Sequence, residues 1–153
     1  MAEPRIFPSP EALTTAVGAP LGPSDWLVVD QRTIDQFAEA TGDHQWIHTD
    51  RERAASGPFG STIAHGYLTL ALLPALTPQL LRVDGARMAV NYGNNRVRFP
   101  APLPVDSRVR ATGSVVSAEP VRDGWQLTLA VTVEREGGQK PVCAAETITR
   151  FYP

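Results

Sequence analysis

Apolar residues follow a helical spacing in the first half of the chain and a strand-like alternation in the second half. From Ile34 to Thr41 the residues at intervals of three and four form one mainly apolar face, which predicts an amphipathic helix. Thr33 and Gln36 have the spacing of a capping box at the start of this helix. Gly42 then supplies its C-terminal stop, because glycine readily adopts the left-handed conformation that ends helices.

The longest apolar segment lies between about His65 and Leu76. It is apolar nearly all round, whereas a helix at the surface would show a polar face. The pattern therefore predicts a helix that is buried on every side. Pro74 and Pro78 predict a kinked or irregular C-terminal end, since proline cannot continue the hydrogen bonds of a helix.

A period-two alternation begins at Met88 and predicts a half-buried strand through Val90 and Tyr92. After Gly93 the apolar phase shifts by one residue, to Val97, which predicts a bulge or a tight bend. Three further strands are predicted at residues 108–117, 125–135 and 142–151.

The predicted helices precede the predicted antiparallel strands along the chain. This order predicts one α+β domain over residues 1–153. In this arrangement the sheet wraps around the buried apolar helix. Residues 1–24 are rich in proline and glycine, and we expect them to form an N-terminal extension with one short helix.

The composition is that of a globular chain and argues against several classes of protein. Apolar residues make up 42% and charged residues 20% of the 153 residues, and the formal net charge of −2 argues against a general nucleic-acid binder. Cys143 is the only cysteine, so neither an internal disulfide nor a cysteine-based zinc site is expected. Residues 1–5 lack the apolar core of a secretory signal, and the run from Tyr67 to Leu76 is too short to span a bilayer. We therefore expect a cytoplasmic protein that does not bind membranes.

Two acid/base side chains, Asp43 and His48, lie five residues apart in a link that we expect to be non-helical. A carboxylate and an imidazole can hold one water and pass its proton when a fixed loop aims both at the same point. Trp46 and Ile47 stand between them and would desolvate the pair, which keeps an imidazole neutral and basic. Each residue alone has a structural interpretation, as a polar residue after a helix or as a hydrogen-bonded histidine. Together they favour catalysis.

Two further features carry chemistry, a glycine before the apolar helix and a pair of arginines. A helix that begins at Gly66, after His65, offers a free backbone N–H and a positive dipole end to a developing oxyanion. The alternative is a helix start where glycine only permits tight packing. Arg96 and Arg98 flank Val97 on a predicted strand, where they either form a solvated face or bind an anionic cofactor tail.

A metal site is another alternative for this part of the chain. His44, His48 and His65 lie near Asp43 and Asp50 in the sequence. The His44–His48 spacing has neither the adjacent glutamate nor the clear helix of a zinc protease. We therefore expect no metal, and we expect Asp50 to cap the next helix.

These residues carry a resemblance to a known family. Thr41-Gly42-Asp43, followed by Ile47-His48-x-Asp50 and then by Ile63-Ala64-His65-Gly66, resembles the signature of MaoC-like (R)-specific enoyl-CoA hydratases. A second motif resembles the single-domain branch that includes NodN-like proteins, Asn91-Tyr92-Gly93-x-Asn95-x-Val97-Arg98-Phe99-Pro100-x-Pro102. The resemblance covers roughly residues 30–151. It implies the hot-dog fold, in which an antiparallel sheet wraps a long central helix.

Carried over by position, the resemblance implies that Asp43 and His48 are the catalytic aspartate and histidine and that the N–H of Gly66 forms the oxyanion hole. It further implies reversible hydration of a trans-2-enoyl-CoA to an (R)-3-hydroxyacyl-CoA. No metal, nucleophile or redox cofactor is implied, and coenzyme A is part of the substrate. A homodimer is implied as well, with the acyl tunnel near its interface, because a second copy would cover the free edge of the sheet.

The residues that we expect to bind the substrate surround these motifs in the sequence, and they are Gln45, Trp46, Phe59, Ile63, Ala64, His65, Tyr67, Tyr92, Asn95, Arg96 and Arg98. Among them, the side chains expected to line the acyl pocket are Trp46, Phe59, Ile63, Tyr67 and Tyr92. One departure from the family pattern bears on this pocket. Many members have Asn-Pro where this chain has Gln45-Trp46, so the carboxamide is kept in a longer form while the indole changes the loop shape and the pocket width.

Three other functions compete with the hydration of a CoA ester. A 3-hydroxyacyl dehydratase that acts on acyl-carrier protein would use the same residues, and a basic docking patch beside the tunnel would favour it. A thioesterase on the same fold would use a carboxylate on the central helix, yet none occurs from Gly66 to Leu76. A non-catalytic acyl-CoA-binding module would not need the acid/base pair of Asp43 and His48.

Overall fold

The computed structural model describes residues 1–153 and shows an antiparallel sheet packed against a short central helix. Its eight strands are β1 (Arg5–Phe7), β2 (Pro20–Leu21), β3 (Leu27–Val29), β4 (Leu81–Val83), β5 (Met88–Arg98), β6 (Ser107–Val121), β7 (Gly124–Arg135) and β8 (Cys143–Tyr152). Its five α-helices are α1 (Gln31–Thr41), α2 (Trp46–Thr49), α3 (Arg51–Ala55), α4 (Gly66–Ala71) and α5 (Leu73–Leu76). In the main sheet β2 and β3 both pair with β6, and the order continues through β7 and β8 to β5. None of the helices has the length and the apolar composition that a membrane crossing requires.

The hydrophobic core lies between the inner face of the sheet and the helices. Ile34 of α1 and Leu76 of α5 are fully buried in it. Alternate residues of β7 face the same core and are at most 4% exposed, namely Leu127, Leu129, Val131 and Val133. Each aliphatic side chain buried in this way stabilises the fold by about 1.5–3 kcal/mol. The alternation predicted for this strand is confirmed.

Helix α1 ends where the sequence predicts, but its cap lies three residues earlier than predicted. Gly42 has a φ of 78°, and its N–H donates to the carbonyl of Ala38 at 2.8 Å, which confirms the predicted stop. The predicted start at Thr33 is wrong, because Asp30 is the cap. The carboxylate of Asp30 accepts two hydrogen bonds from Thr33, one from the backbone N–H at 2.8 Å and one from the side-chain hydroxyl at 2.7 Å. These hydrogen bonds lower the pKa of Asp30.

The central helix is interrupted, and only part of its surface is buried. The chain leaves α4 at Leu72 and resumes as α5, with Pro74 in its first turn, which confirms the predicted irregularity. The prediction of a helix buried on every side is wrong, because Tyr67 is 72% exposed. Ala71 and Pro74 are exposed as well, whereas Leu76 on the other face is buried. The sheet of one chain covers one side of this helix and leaves the other side open.

Strand β5 forms one edge of the main sheet. Its register against β8 shifts twice, between Asn91 and Gly93 and between Asn94 and Arg96, which confirms the predicted irregularity. The predicted half-burial of its first residues is wrong, since Met88, Val90 and Tyr92 are 50%, 40% and 58% exposed. Only one side of β5 is hydrogen-bonded, and its apolar side chains face solvent in the single chain.

The N-terminal residues pack into the same core as the rest of the chain. Strand β1 pairs in parallel with β4. Residues Glu11–Ala16 form a 3₁₀ helix, and its Leu13 and Ala16 are buried in the core cluster. The short helix expected in residues 1–24 is therefore present in the tighter 3₁₀ form.

Candidate active site

Three segments bring the predicted acid/base residues together. Asp43 follows the left-handed Gly42 at the exit of α1, His48 lies in α2, and His65 immediately precedes α4. The prediction of a non-helical link is wrong for residues 46–49, which form one helical turn. In this turn the N–H of His48 donates to the carbonyl of Gln45 at 3.0 Å.

The environment of His48 defines which of its ring nitrogens is free. The side chain is 7% exposed, and Nδ1 lies 2.7 Å from the carbonyl oxygen of Ile63. A carbonyl oxygen only accepts hydrogen bonds, so Nδ1 carries the proton and Nε2 carries the lone pair. Burial lowers the pKa of His48, assisted by the neighbouring His65 and opposed by the hydrogen bond to Ile63 and by Asp43. The ring is therefore a neutral base near pH 7.

His65 lies directly against this base and holds the backbone of Asp43. Its ring stacks on that of His48 with 3.9 Å between the centroids and 24° between the planes. Its Nε2 donates to the carbonyl oxygen of Asp43 at 2.9 Å, while Nδ1 is buried without a partner. The carboxylate of Asp43 remains exposed and accepts a hydrogen bond from the N–H of Gln45 at 3.3 Å. His65 thus fixes the loop that carries the carboxylate.

The three side chains place their donor atoms close enough to share a small molecule. One such atom from each of Asp43, His48 and His65 lies within 4.8 Å of the others. The lone pair of an imidazole lies in the ring plane, so two rings stacked 3.9 Å apart at 24° hold their lone pairs in nearly parallel planes that do not converge on one ion. A tetrahedral metal site needs convergent ligands. The arrangement suits a water held between the carboxylate and one imidazole better than a metal bound by both rings.

Gly66 supplies a backbone donor beside this cluster. It is the first residue of α4, so its N–H has no acceptor within the helix. A Cβ at this position would lie 2.8–3.0 Å from ring atoms of Phe99. A side chain at this position would therefore fit only if the ring of Phe99 shifted.

The comparison with known families identifies the family of this chain. Residues 12–137 match the model of the MaoC like domain. The chain belongs to the MaoC-like dehydratase family. The resemblance seen in the sequence is thereby confirmed, and the protein is an enzyme of the hydro-lyase class.

Two curated proteins are similar to this MaoC-like dehydratase over most of its length. The 3-hydroxyacyl-thioester dehydratase Z of Mycobacterium tuberculosis is 56% identical over 148 residues, which are 96% of this chain and 98% of the relative. The Nodulation protein N of Rhizobium leguminosarum bv. viciae is 47% identical over 90% of this chain and 88% of its own. Among solved structures, the Monoamine oxidase regulatory protein from Archaeoglobus fulgius superposes with a TM-score of 0.78 at 24% identity, over 99% of both chains. The α+β hot-dog fold is confirmed.

Several of the predicted substrate-binding residues of this MaoC-like dehydratase lie near the acid/base cluster. Ile63 and Ala64 are buried directly before His65, and the carbonyl of Ile63 orients the base. Trp46 is half-buried beneath the guanidinium of Arg53, which lies 4.3 Å from the ring centroid. Gln45 is exposed at the start of α2. Gln45 and Trp46 therefore lie directly before His48, and Ile63 belongs to a second segment that contacts its ring.

Three predicted aromatic side chains are exposed. Tyr67 meets Phe99 edge-on, with 6.3 Å between the ring centroids. Phe59 is 45% exposed in the loop between α3 and α4. Tyr92 on β5 lies under the guanidinium of Arg150, whose Cζ is 3.5 Å from the centroid of the tyrosine ring. In the single chain, all three are available for contacts with another molecule.

The polar residues predicted on β5 lie apart from the acid/base cluster. Arg96 and Arg98 flank the inward-facing Val97, so they project from the opposite face of the sheet. Asn95 donates a hydrogen bond to the carboxylate of Glu146 at 2.7 Å. Arg98 donates to the carbonyl of Val97. In the single chain these side chains do not meet Asp43 or His48.

Two residues of the hydrogen-bond network around His48 were missed from the sequence. Gln31 and Thr62 are 5% and 1% exposed, and Gln31 hydrogen-bonds the backbone of His48. One signal was present, since Gln31 lies three residues before Ile34 and seven before Ala38, on the same buried helical face. A long amide in an apolar stripe requires buried partners, and it therefore marks a hydrogen-bonded network.

Proposed function

We propose that this MaoC-like dehydratase is an (R)-specific enoyl-CoA hydratase. It would add water reversibly to a trans-2-enoyl-CoA and give the (R)-3-hydroxyacyl-CoA. The observation that carries this proposal is the free Nε2 of a buried, neutral His48 beside the carboxylate of Asp43. A base of lowered pKa next to a carboxylate is suited to the activation of water.

The reaction follows from these groups. Asp43 and His48 hold one water, and Nε2 of His48 takes its proton as the oxygen forms a bond to C3 of the enoyl group. The electron pair of the double bond moves towards the thioester carbonyl, whose oxygen accepts a hydrogen bond from the N–H of Gly66. The proton is then returned to C2, which completes the addition of H and OH. Reversal of the same steps eliminates water.

A groove beside α4 offers a site for the acyl chain. It encloses about 670 Å³ and lies between the central helix segments and strands β5, β7 and β8. It begins at Leu70, about one helical turn beyond Gly66, and its lining includes Leu70, Ala71, Leu73, Pro74, Tyr92 and Phe151. Among the five side chains expected at the pocket, Tyr92 alone lines this groove. We propose that the acyl chain extends from the thioester at Gly66 into this groove.

A larger side chain in the groove should restrict the enzyme to enoyl-CoA substrates with shorter acyl chains. Ala71 lines the groove and is exposed, so Ala71→Phe should fill space there without straining the core. We expect kcat/KM for the longest accepted enoyl-CoA to fall about tenfold or more, while that for crotonyl-CoA stays near the wild-type value. Ala75→Phe, at an exposed position outside the groove, is the matched control. Equal losses for short and long substrates would place the acyl chain elsewhere.

A second copy of the chain is proposed to cover the exposed side of this region. The free edge of β5 offers unpaired backbone groups, and apolar side chains such as Val90 and Tyr92 lie along it. Sedimentation should give a mass of about twice 16.5 kDa for the wild type. Val90→Lys should shift the protein towards the monomer, and Val116→Lys on β6 should not. A wild type that stays monomeric at high concentration contradicts a homodimer.

Loss of the enoyl-thioester absorbance of crotonyl-CoA tests the proposed function. Wild-type protein should remove this absorbance, and the product should be the (R)-alcohol by chiral analysis. Formation of the (S)-alcohol would contradict the stereochemistry. No reaction with short or long enoyl-CoA, but reaction with the same acyl groups on acyl-carrier protein, would assign a carrier-bound substrate instead.

A further inference from the structure

A glutamine outside the proposed chemistry is buried beside the base. Gln31 is the first residue of α1. Its Nε2 donates to the carbonyl oxygen of His48 at 2.7 Å and to a carboxylate oxygen of Asp35 at 2.8 Å. Its Oε1 accepts a hydrogen bond from the hydroxyl of Thr62 at 2.6 Å. Both donors of the amide and its acceptor oxygen are therefore in use.

These hydrogen bonds join the two chain segments that hold His48. The backbone N–H of Ile63 donates to the carbonyl of Ile47 at 3.0 Å, and the imidazole of His48 donates to the carbonyl of Ile63 at 2.7 Å. Gln31 completes the same junction, because it binds the carbonyl of His48 and the hydroxyl of Thr62 at once. The base is thus fixed through its ring and through its backbone.

We propose that Gln31 is a positioning residue, which acts with Thr62 to hold the helical turn of His48 at the distance from Asp43 that proton transfer requires. This role rests on the hydratase function proposed above, in which His48 removes the proton of water. A planar carboxamide suits it, since one group supplies two donors and one acceptor in fixed directions. An apolar side chain of similar size would leave the carbonyl of His48 and the hydroxyl of Thr62 buried without this partner. The short turn would then reorient.

The first test replaces the amide and separates kcat from KM. Gln31→Leu should lower kcat about 10–100-fold and leave KM within about twofold, because a displacement of about 1 Å at a reacting group costs about 10²-fold. Gln36→Leu changes an exposed glutamine of the same helix and is the matched control. It should keep the wild-type kcat and KM.

Thr62 supplies a second pair of variants, which decides the question if Gln31→Leu does not fold. Thr62→Val removes the hydroxyl with little change of shape, and Thr62→Ser keeps the hydroxyl. We expect Thr62→Val to lower kcat about tenfold and Thr62→Ser to retain the wild-type value. Equal losses in the two variants would contradict the proposal, because the methyl group and not the hydroxyl would then be required.

Nitrogen NMR of the imidazole gives a readout that needs no turnover. The chain has three histidines, so the resonances of His48 can be assigned from the spectrum of His48→Gln. The wild type should carry its proton on Nδ1, and Gln31→Leu should show both tautomers. A Gln31→Leu variant with the wild-type tautomer and the wild-type kcat overturns the positioning role. A wild type that hydrates no thioester, with a tautomer that still responds to Gln31→Leu, supports the positioning and rejects the proposed reaction.

Discussion

Asp43→Asn should lower kcat for the hydration of crotonyl-CoA by about 10²–10⁴-fold, the range expected for the loss of an acid/base partner. Asparagine keeps an oxygen that can accept the hydrogen bond from the N–H of Gln45, and the bond from His65 goes to the backbone carbonyl. The loop should therefore keep its shape while it loses the negative charge that helps to hold the water beside His48. Initial rates measured by the decay of the enoyl absorbance give the comparison.

Asp50→Asn is the matched control for this variant. Asp50 lies two residues beyond His48 and caps α3 through the N–H of Arg53 at 3.0 Å. Asparagine caps helices about as well as aspartate, so kcat should stay within about twofold of the wild type. A rate for Asp43→Asn as high as that of the control would remove Asp43 from the mechanism.

His48→Gln should reduce kcat over the same range, about 10²–10⁴-fold, because an amide cannot accept the proton of water. The lowered pKa of His48 adds a dependence on pH. The neutral ring is the active form, so wild-type kcat/KM should fall only when the pH drops below the ordinary histidine value of about 6.5. The residual activity of His48→Gln should lack this fall.

His44→Gln serves as the control for the second variant. His44 is exposed and lies 3.7 Å from the carboxylate of Glu39 at the surface. Its replacement should change neither the rate nor the profile with pH. If the acidic fall survives in His48→Gln and disappears in His44→Gln, then the assignment of the base is wrong.

The proximity of Asp43 and His48 could be predicted because both residues lie in one local stretch of the sequence. Asp43 follows a glycine stop and His48 lies in the next turn, so the two residues are close along the chain itself. Distant contacts with His65 and Ile63 then fix their orientation. The positions of Gln31 and Thr62 could not be predicted in the same way. They lie 17 residues before and 14 residues after His48, and their hydrogen bonds exist only once α1 packs against both segments.

The central helix shows where an apolar pattern stops being informative. Its sequence correctly predicted a helix and an irregular end. The sequence shows that a residue is apolar, but it does not show whether the sheet of the same chain or the surface of another molecule covers that residue. Tyr67 and Ala71 lie on the uncovered side.

The start of α1 was missed for a different reason. Thr33 and Asp30 both have side chains that cap helices, and only the hydrogen bonds distinguish them.

The contact between Gly66 and Phe99 constrains how this sequence can change. The ring of Phe99 occupies the space that any side chain at residue 66 would need. An alanine at Gly66 is therefore accommodated only after Phe99 has moved or been replaced by a smaller residue, so the order of the two substitutions matters. The two positions are coupled although they lie 33 residues apart in the sequence. Phe99 has no part in the proton transfer, yet a smaller residue at this position would allow side chains other than that of glycine at residue 66.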